Sequence, residues 1–127
     1  MIVRVLRGHV PARNVDRLWS DLAERMEGVA PPDGQVNAEF GRQVHADGSE
    51  SFVYVTTWLD MAAVYAWVGG PSALSQPRLL RGLEHLLDEV DVQHYIGSSL
   101  HRPWEFQPAD RPRGEGSRTG RERAAVP

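Results

Sequence analysis

Residues 52–69, FVYVTTWLDMAAVYAWVG, constrain the fold more than any other stretch, because the backbone must change its period within them. Phe52, Val53, Tyr54, Val55, Thr56 and Thr57 are all β-branched or aromatic, the residue types that fit a pleated, packed surface, so a strand ends at Trp58. Behind it Asp60 is placed to cap a helix in which Met61, Val64, Tyr65 and Val68 recur at i, i+3, i+4 and i+7, with Trp67 beside that stripe. Alternation puts Phe52, Tyr54, Thr56 and Trp58 on one side of the strand and Val53, Val55 and Thr57 on the other. Neither side is wet, and a strand apolar on both faces must be covered on both.

The rest of the chain supplies partners for that unit. Ile2–Val10 is rich in β-branched residues and stops at Pro11, which reads as a first strand. From Ala12 the period becomes helical: Val15, Leu18, Trp19, Leu22 and Met26 share one face, Arg13, Arg17, Asp21, Glu24 and Arg25 the other, and Gly28 ends the run. After the loop Pro31–Gly34, residues 35–46 alternate as a second strand, and Asp47-Gly48 turns it antiparallel onto the strand 51–58. Beyond the Asp60 helix, Pro77 opens a further helical piece with Leu79, Leu80, Leu83, Leu86, Leu87 and Val90 on one face, and residues 91–97 close as a last strand. The order β, α, β, β, α in two pieces, β predicts an α+β, ferredoxin-like split βαβ domain with its helices on one sheet face. The other face then needs a cover of similar size, and a second copy of the chain is the economical one, which predicts a homodimer.

Residues 1–97 carry 8 Arg against 13 acidic residues, whereas 98–127 carry 6 against 4 with four Pro and three Gly, so the boundary of a single domain falls near Ser98. Leu100, Trp104 and Phe106 predict that 98–107 docks as an arm, and the composition of 108–127 predicts a disordered tail. Acids interleave with the tail arginines and the whole chain is net −3, which argues against nucleic acid as a partner. No apolar run is long enough for a membrane span or a secretory signal, and a cytoplasmic protein is expected. Cys and Lys are both absent, which excludes disulfides, thiolate chemistry and Schiff-base catalysis, while the all-arginine usage suggests a GC-rich bacterial source.

His9 and His94 lie on strands that should pair centrally, where a histidine is either a general base for a phenolic or carbon-bound proton or a hydrogen-bonded core residue. Arg7 shares its strand side with His9; it either pairs with an acid such as Glu39 or holds an anionic ligand oxygen. Asn37 either donates to a developing oxyanion or faces solvent, and Tyr65, Trp67 and Trp19 are either core or the wall of a substrate pocket. His45 and His85 are expected in solvent. No dinucleotide, nucleophile-elbow or metalloprotease motif occurs, and no residue set suggests a metal.

The strand closing on Trp58, the acidic cap, the alanine-rich helix with Trp67 and the closing His94-Tyr95 resemble the antibiotic biosynthesis monooxygenase family over residues 2–97. The resemblance implies a dimeric α+β barrel and a cofactor-independent monooxygenase acting on an aromatic or polyketide-like small molecule. It implies His9 or His94 as base, Arg7 and Asn37 as oxyanion partners, and Tyr65, Trp67 and Trp19 as cavity wall. A non-catalytic dimeric module that binds a small ligand or a protein stays open beside it. Haem-degrading members carry an Asn in strand one, a Trp in the second helix and a His ten residues on; Trp67 matches, but Arg7 and Pro77 occupy the other two places. The implied protein therefore uses no haem and no other cofactor.

Overall fold

The computed structural model describes residues 1–97. The expected arm at 98–107 and tail at 108–127 lie outside the described residues. Strands β1 (Ile2–Val10), β2 (Gln35–Val44), β3 (Glu50–Trp58) and β4 (Glu89–Ile96) form one antiparallel sheet in the order β2-β3-β1-β4, with helices α1 (Val15–Met26) and α2 (Met61–Val68) in the two crossovers. This is the ferredoxin-like α+β arrangement read from the sequence. Asp60 caps α2 as expected, its Oδ1 accepting from the amide of Ala63 at 2.9 Å, and Gly69 ends the helix in the left-handed region at φ 106°. No described helix is long and apolar enough to cross a membrane.

The two sheet faces are distinguished by what they meet. On β1 the buried residues are Ile2, Arg4, Leu6, Gly8 and Val10, and on β3 they are Glu50, Phe52, Tyr54, Thr56 and Trp58; these sets turn toward the helices. One core joins Leu6, Val10, Phe52 and Tyr54 to Leu18 and Leu22 of α1 and to Leu79, Leu80, Leu83 and Leu86. A second joins Ile2 and Trp58 to Val64 and Val68 of α2, with Trp67 packed against it. The opposite parity, including Val3, Val5, Val53, Val55 and Thr57, remains half-exposed on an open face.

The leucine-rich segment departs from expectation. No long helix starts at Pro77; two single 3₁₀ turns, Arg78–Leu80 and Glu84–Leu86, stand in its place, separated by Gly82 at φ 86°. The leucines are buried nonetheless, so the apolar pattern reports burial that an irregular segment satisfies as well as a helix does. Val90, expected on that helix, belongs instead to β4, whose pairing is prepared when the amide of Asp88 donates to the carbonyl of His9 at 2.9 Å.

Candidate functional site

A cavity of about 530 Å³ opens on the helix side of the sheet, between the C-terminal end of α1, the loop after it, α2 and the turn at Arg78–Leu80. This is the size of a small-molecule site. Its walls are apolar and partly flat, with Met26, Val29, Pro31, Pro32 and Trp67 among them, and Tyr54 lines it from the sheet. Tyr54 is 5% exposed, and its hydroxyl has no hydrogen-bond partner among the described residues. Burial raises its pKa above the ordinary phenol value, so the hydroxyl keeps its proton at neutral pH. Three guanidinium groups, those of Arg25, Arg78 and Arg81, also line the cavity, and no described Asp, Glu or His does.

Behind Trp67 lies Arg4, 3% exposed. Its guanidinium donates to the carbonyls of Leu74 and Gln76 at 2.9 and 2.7 Å and to Nε2 of His94 at 2.9 Å, and sits 5.4 Å from the centroid of Trp67. No described carboxylate pairs with it, and desolvation pulls its pKa down to about 10. Arg4 thus locks the loop after α2 onto β1 and supports the indole wall. A sequence reading had little to find here: Arg4 is one more arginine in an alternating strand, and Tyr54 one more aromatic in an apolar run.

The residues expected to converge are divided by the sheet. Trp67 lines the helix-side cavity, and His94 turns to the same face, where its Nε2 is occupied by Arg4. Tyr65 is half-buried on α2 outside the cavity lining. Trp19 packs edge-on against Phe40 and Phe52 and donates through Nε1 to buried Glu50 at 2.9 Å. Arg42 completes that cluster, donating to both Glu50 oxygens at 2.8 and 2.7 Å, which holds the Glu50 carboxyl below its ordinary range. Arg7, His9 and Asn37 belong to the open face instead, so they do not border a cavity shared with Trp67 and His94. Arg7 stands in register with Asp91 of β4, and no ion pair joins it to Glu39 among the described residues.

His9 has a setting of its own. Nδ1 is 3.3 Å from Asp88 Oδ2, Nε2 is 3.3 Å from Ser49 Oγ, and the His45 ring centroid lies 5.8 Å away. The order Asp, His, Ser has the outline of a nucleophile triad, but the Ser49 hydroxyl donates to Asp47 Oδ1 at 2.6 Å. Its oxygen is then an acceptor toward His9, the reverse of what nucleophile activation requires. Arg7, His9, Ser51, Glu89 and Asp91 line a second cavity of about 580 Å³ on this face, with both signs of charge.

No protein-family model and no curated protein sequence matches the chain. Solved structures do. A candidate antibiotic biosynthesis monooxygenase from Deinococcus radiodurans superposes with TM-score 0.60 at 15% identity, covering 78% of this chain and 94% of that one. The haem-degrader MhuD of Mycobacterium tuberculosis, with two haems in its active site, superposes with TM-score 0.52 at 20% identity over 75% of this chain and 93% of that one. A MhuD variant holding two manganese protoporphyrin IX molecules per active site gives 0.54 at 19% identity, over 76% and 94%.

The expectation of no cofactor, with haem excluded, is overturned by these last two structures, since proteins of this fold hold metal porphyrins. Because α2 ends at Val68 and Pro77 lies among irregular turns, the ten-residue count from Trp67 does not by itself place Pro77 at the position of a ligand. Within strand one, Arg4 is the arginine that turns toward Trp67, while Arg7 is exposed on the opposite face. At identities of 15% to 20% the comparison establishes architecture, and the chain has the ferredoxin-like α+β fold of the antibiotic biosynthesis monooxygenases.

Proposed function

We propose that the protein binds an aromatic small molecule in the helix-side cavity and oxygenates it, working as a homodimer packed through the open sheet faces. Tyr54 carries this reading: a buried phenol with no described partner, lining a cavity of ligand size, is a donor waiting for an acceptor. Kept protonated by its surroundings, it donates to a substrate oxygen on which negative charge grows. Trp67, Pro31 and Pro32 offer flat apolar walls, and Arg4 keeps the indole in place from behind. The half-exposed valines of the open face support the dimer, since their neighbours in the sheet leave them only one side on which to be covered.

A metal porphyrin fits the same cavity in body and in charge. The apolar walls would take its ring and Arg25, Arg78 and Arg81 its carboxylates; the Met26 thioether could ligate iron, and the Tyr54 phenol could do so only by giving up its proton. When bound, such a group supplies oxygen activation, while the chain's own residues orient it and exclude water. One observation favours a second reading, a binding module without catalysis: apart from Tyr54, no described acid or base of ordinary catalytic type lines the cavity.

The test is oxygen uptake with a dihydroxynaphthalene or an anthrone, run on the protein as isolated and after loading with hemin, in air and under argon. Product that forms only in air, and that falls by about 10²-fold in Tyr54→Phe, is the expected result. Binding of these compounds with no turnover in either form would leave the binding module.

A further inference from the structure

We infer that the helix-side cavity selects anionic aromatic molecules, with Arg25, Arg78 and Arg81 reading the anion. This rests on the cavity being the ligand site. Residues 1–97 hold 8 Arg and 13 acids, so a surface taken at random from this domain is acidic. The cavity is the reverse, with three of those arginines in its lining and no described carboxylate.

Two of the three are already aimed. Arg25 Nη1 donates to the carbonyl of Leu79 at 2.6 Å, and Arg78 donates to the carbonyl of Trp67 with its guanidinium 5.2 Å from the indole centroid. Neutral carbonyls orient these groups without cancelling their charge, and a guanidinium offers five donors, so N–H groups remain for a ligand. Arg4 adds a further positive charge 5.4 Å from the same indole, again with no described carboxylate partner. Cations held in place around an apolar slot lose little entropy on meeting an anion, and the partly desolvated setting strengthens the attraction. The ligand that satisfies both features has a flat apolar body and a carboxylate, sulfonate or similar group at its edge.

Anilinonaphthalene sulfonate and phenylnaphthylamine share one ring skeleton and differ by the sulfonate, so fluorescence titration of both against the full chain isolates the anion. The sulfonate should bind at least about tenfold more tightly, with the preference shrinking between ~20 and ~300 mM salt. Arg78→Gln combined with Arg81→Gln should remove the preference, with the sulfonate losing at least about tenfold more affinity than phenylnaphthylamine. Arg81→Gln alone, at a residue whose side chain makes no hydrogen bond among the described residues, should weaken only the sulfonate, which guards against misfolding of the double variant. Equal affinity for the two dyes, or a preference unmoved by the substitutions, would overturn anion selection while leaving the cavity as a ligand site. Failure of both dyes to bind would remove the ligand site itself and the inference with it.

Discussion

Arg4 and His94 leave neighbouring strands at paired positions, and the Arg4 guanidinium donates to Nε2 of His94 at 2.9 Å. Arginine has no acceptor, so Nε2 must present its lone pair and the imidazole proton sits on Nδ1. Desolvation, reinforced by the Arg4 charge, holds the His94 pKa below its ordinary value of 6.5. His94 is therefore a neutral structural acceptor beneath the site, with one ring nitrogen already in use.

This relationship sets a pH dependence of stability. The unfolded chain takes up a proton on His94 as pH falls through 6.5, whereas the folded chain resists, so the contribution is complete above 6.5 and lost progressively below it. Urea midpoints of the parent should decline between ~pH 7.5 and ~pH 5.5, and those of His94→Asn should decline less over the same interval. Glu50, whose folded pKa is lowered from 4.5, loses its contribution only below that value, which separates the two effects.

Gly8 is required for space. A Cβ there would meet Phe52 Cε1 at 2.5 Å and Leu87 Cδ2 at 2.7 Å, both packed in the core. Gly8→Ala should destabilise by about 1–3 kcal/mol in chemical denaturation, and Phe52→Leu in the same chain should recover part of the loss.

Asp60 holds the start of α2, and with it Trp67. Asp60→Ala should cost about 0.5–2 kcal/mol, whereas Asp60→Asn, which keeps an acceptor for the Ala63 amide, should stay close to the parent. Thermal melts of the three proteins check this.

The proposed dimer is tested on the open face. Val55→Asp places a charge among Val3, Val5 and Val53, and light scattering should then report a monomer while dye binding on the helix side persists. A parent that is itself monomeric at micromolar concentration would remove the dimer.

Much of the architecture was legible in the chain. The spans of β1 and α1, the Asp47-Gly48 turn and the Asp60 cap follow from local period and turn chemistry, which neighbours in sequence are enough to determine. The leucine segment at 79–87 was not legible, because its apolar spacing fits a helix, whereas the backbone leaves helical geometry at Arg81, at left-handed Gly82 and at Leu83.

The site was hidden for a related reason. Alternation sorts β1 into Ile2, Arg4, Leu6 and Val10 on one side and Val3, Val5, Arg7 and His9 on the other, and each set holds valine or leucine beside an arginine. Period alone therefore separates two faces without saying which one the helices cover. Packing decides that: the helices and the leucine turns close over the larger side chains of the first set, burying Arg4 and Tyr54 and leaving Arg7, His9 and Asn37 on the open face. The sequence by itself determined the four strands, α1, α2 and their order, through interactions a few residues long. Which arginine is buried, which tyrosine lines the cavity, and that Arg25, Arg78 and Arg81 meet across more than fifty residues of chain were decided only when the layers packed.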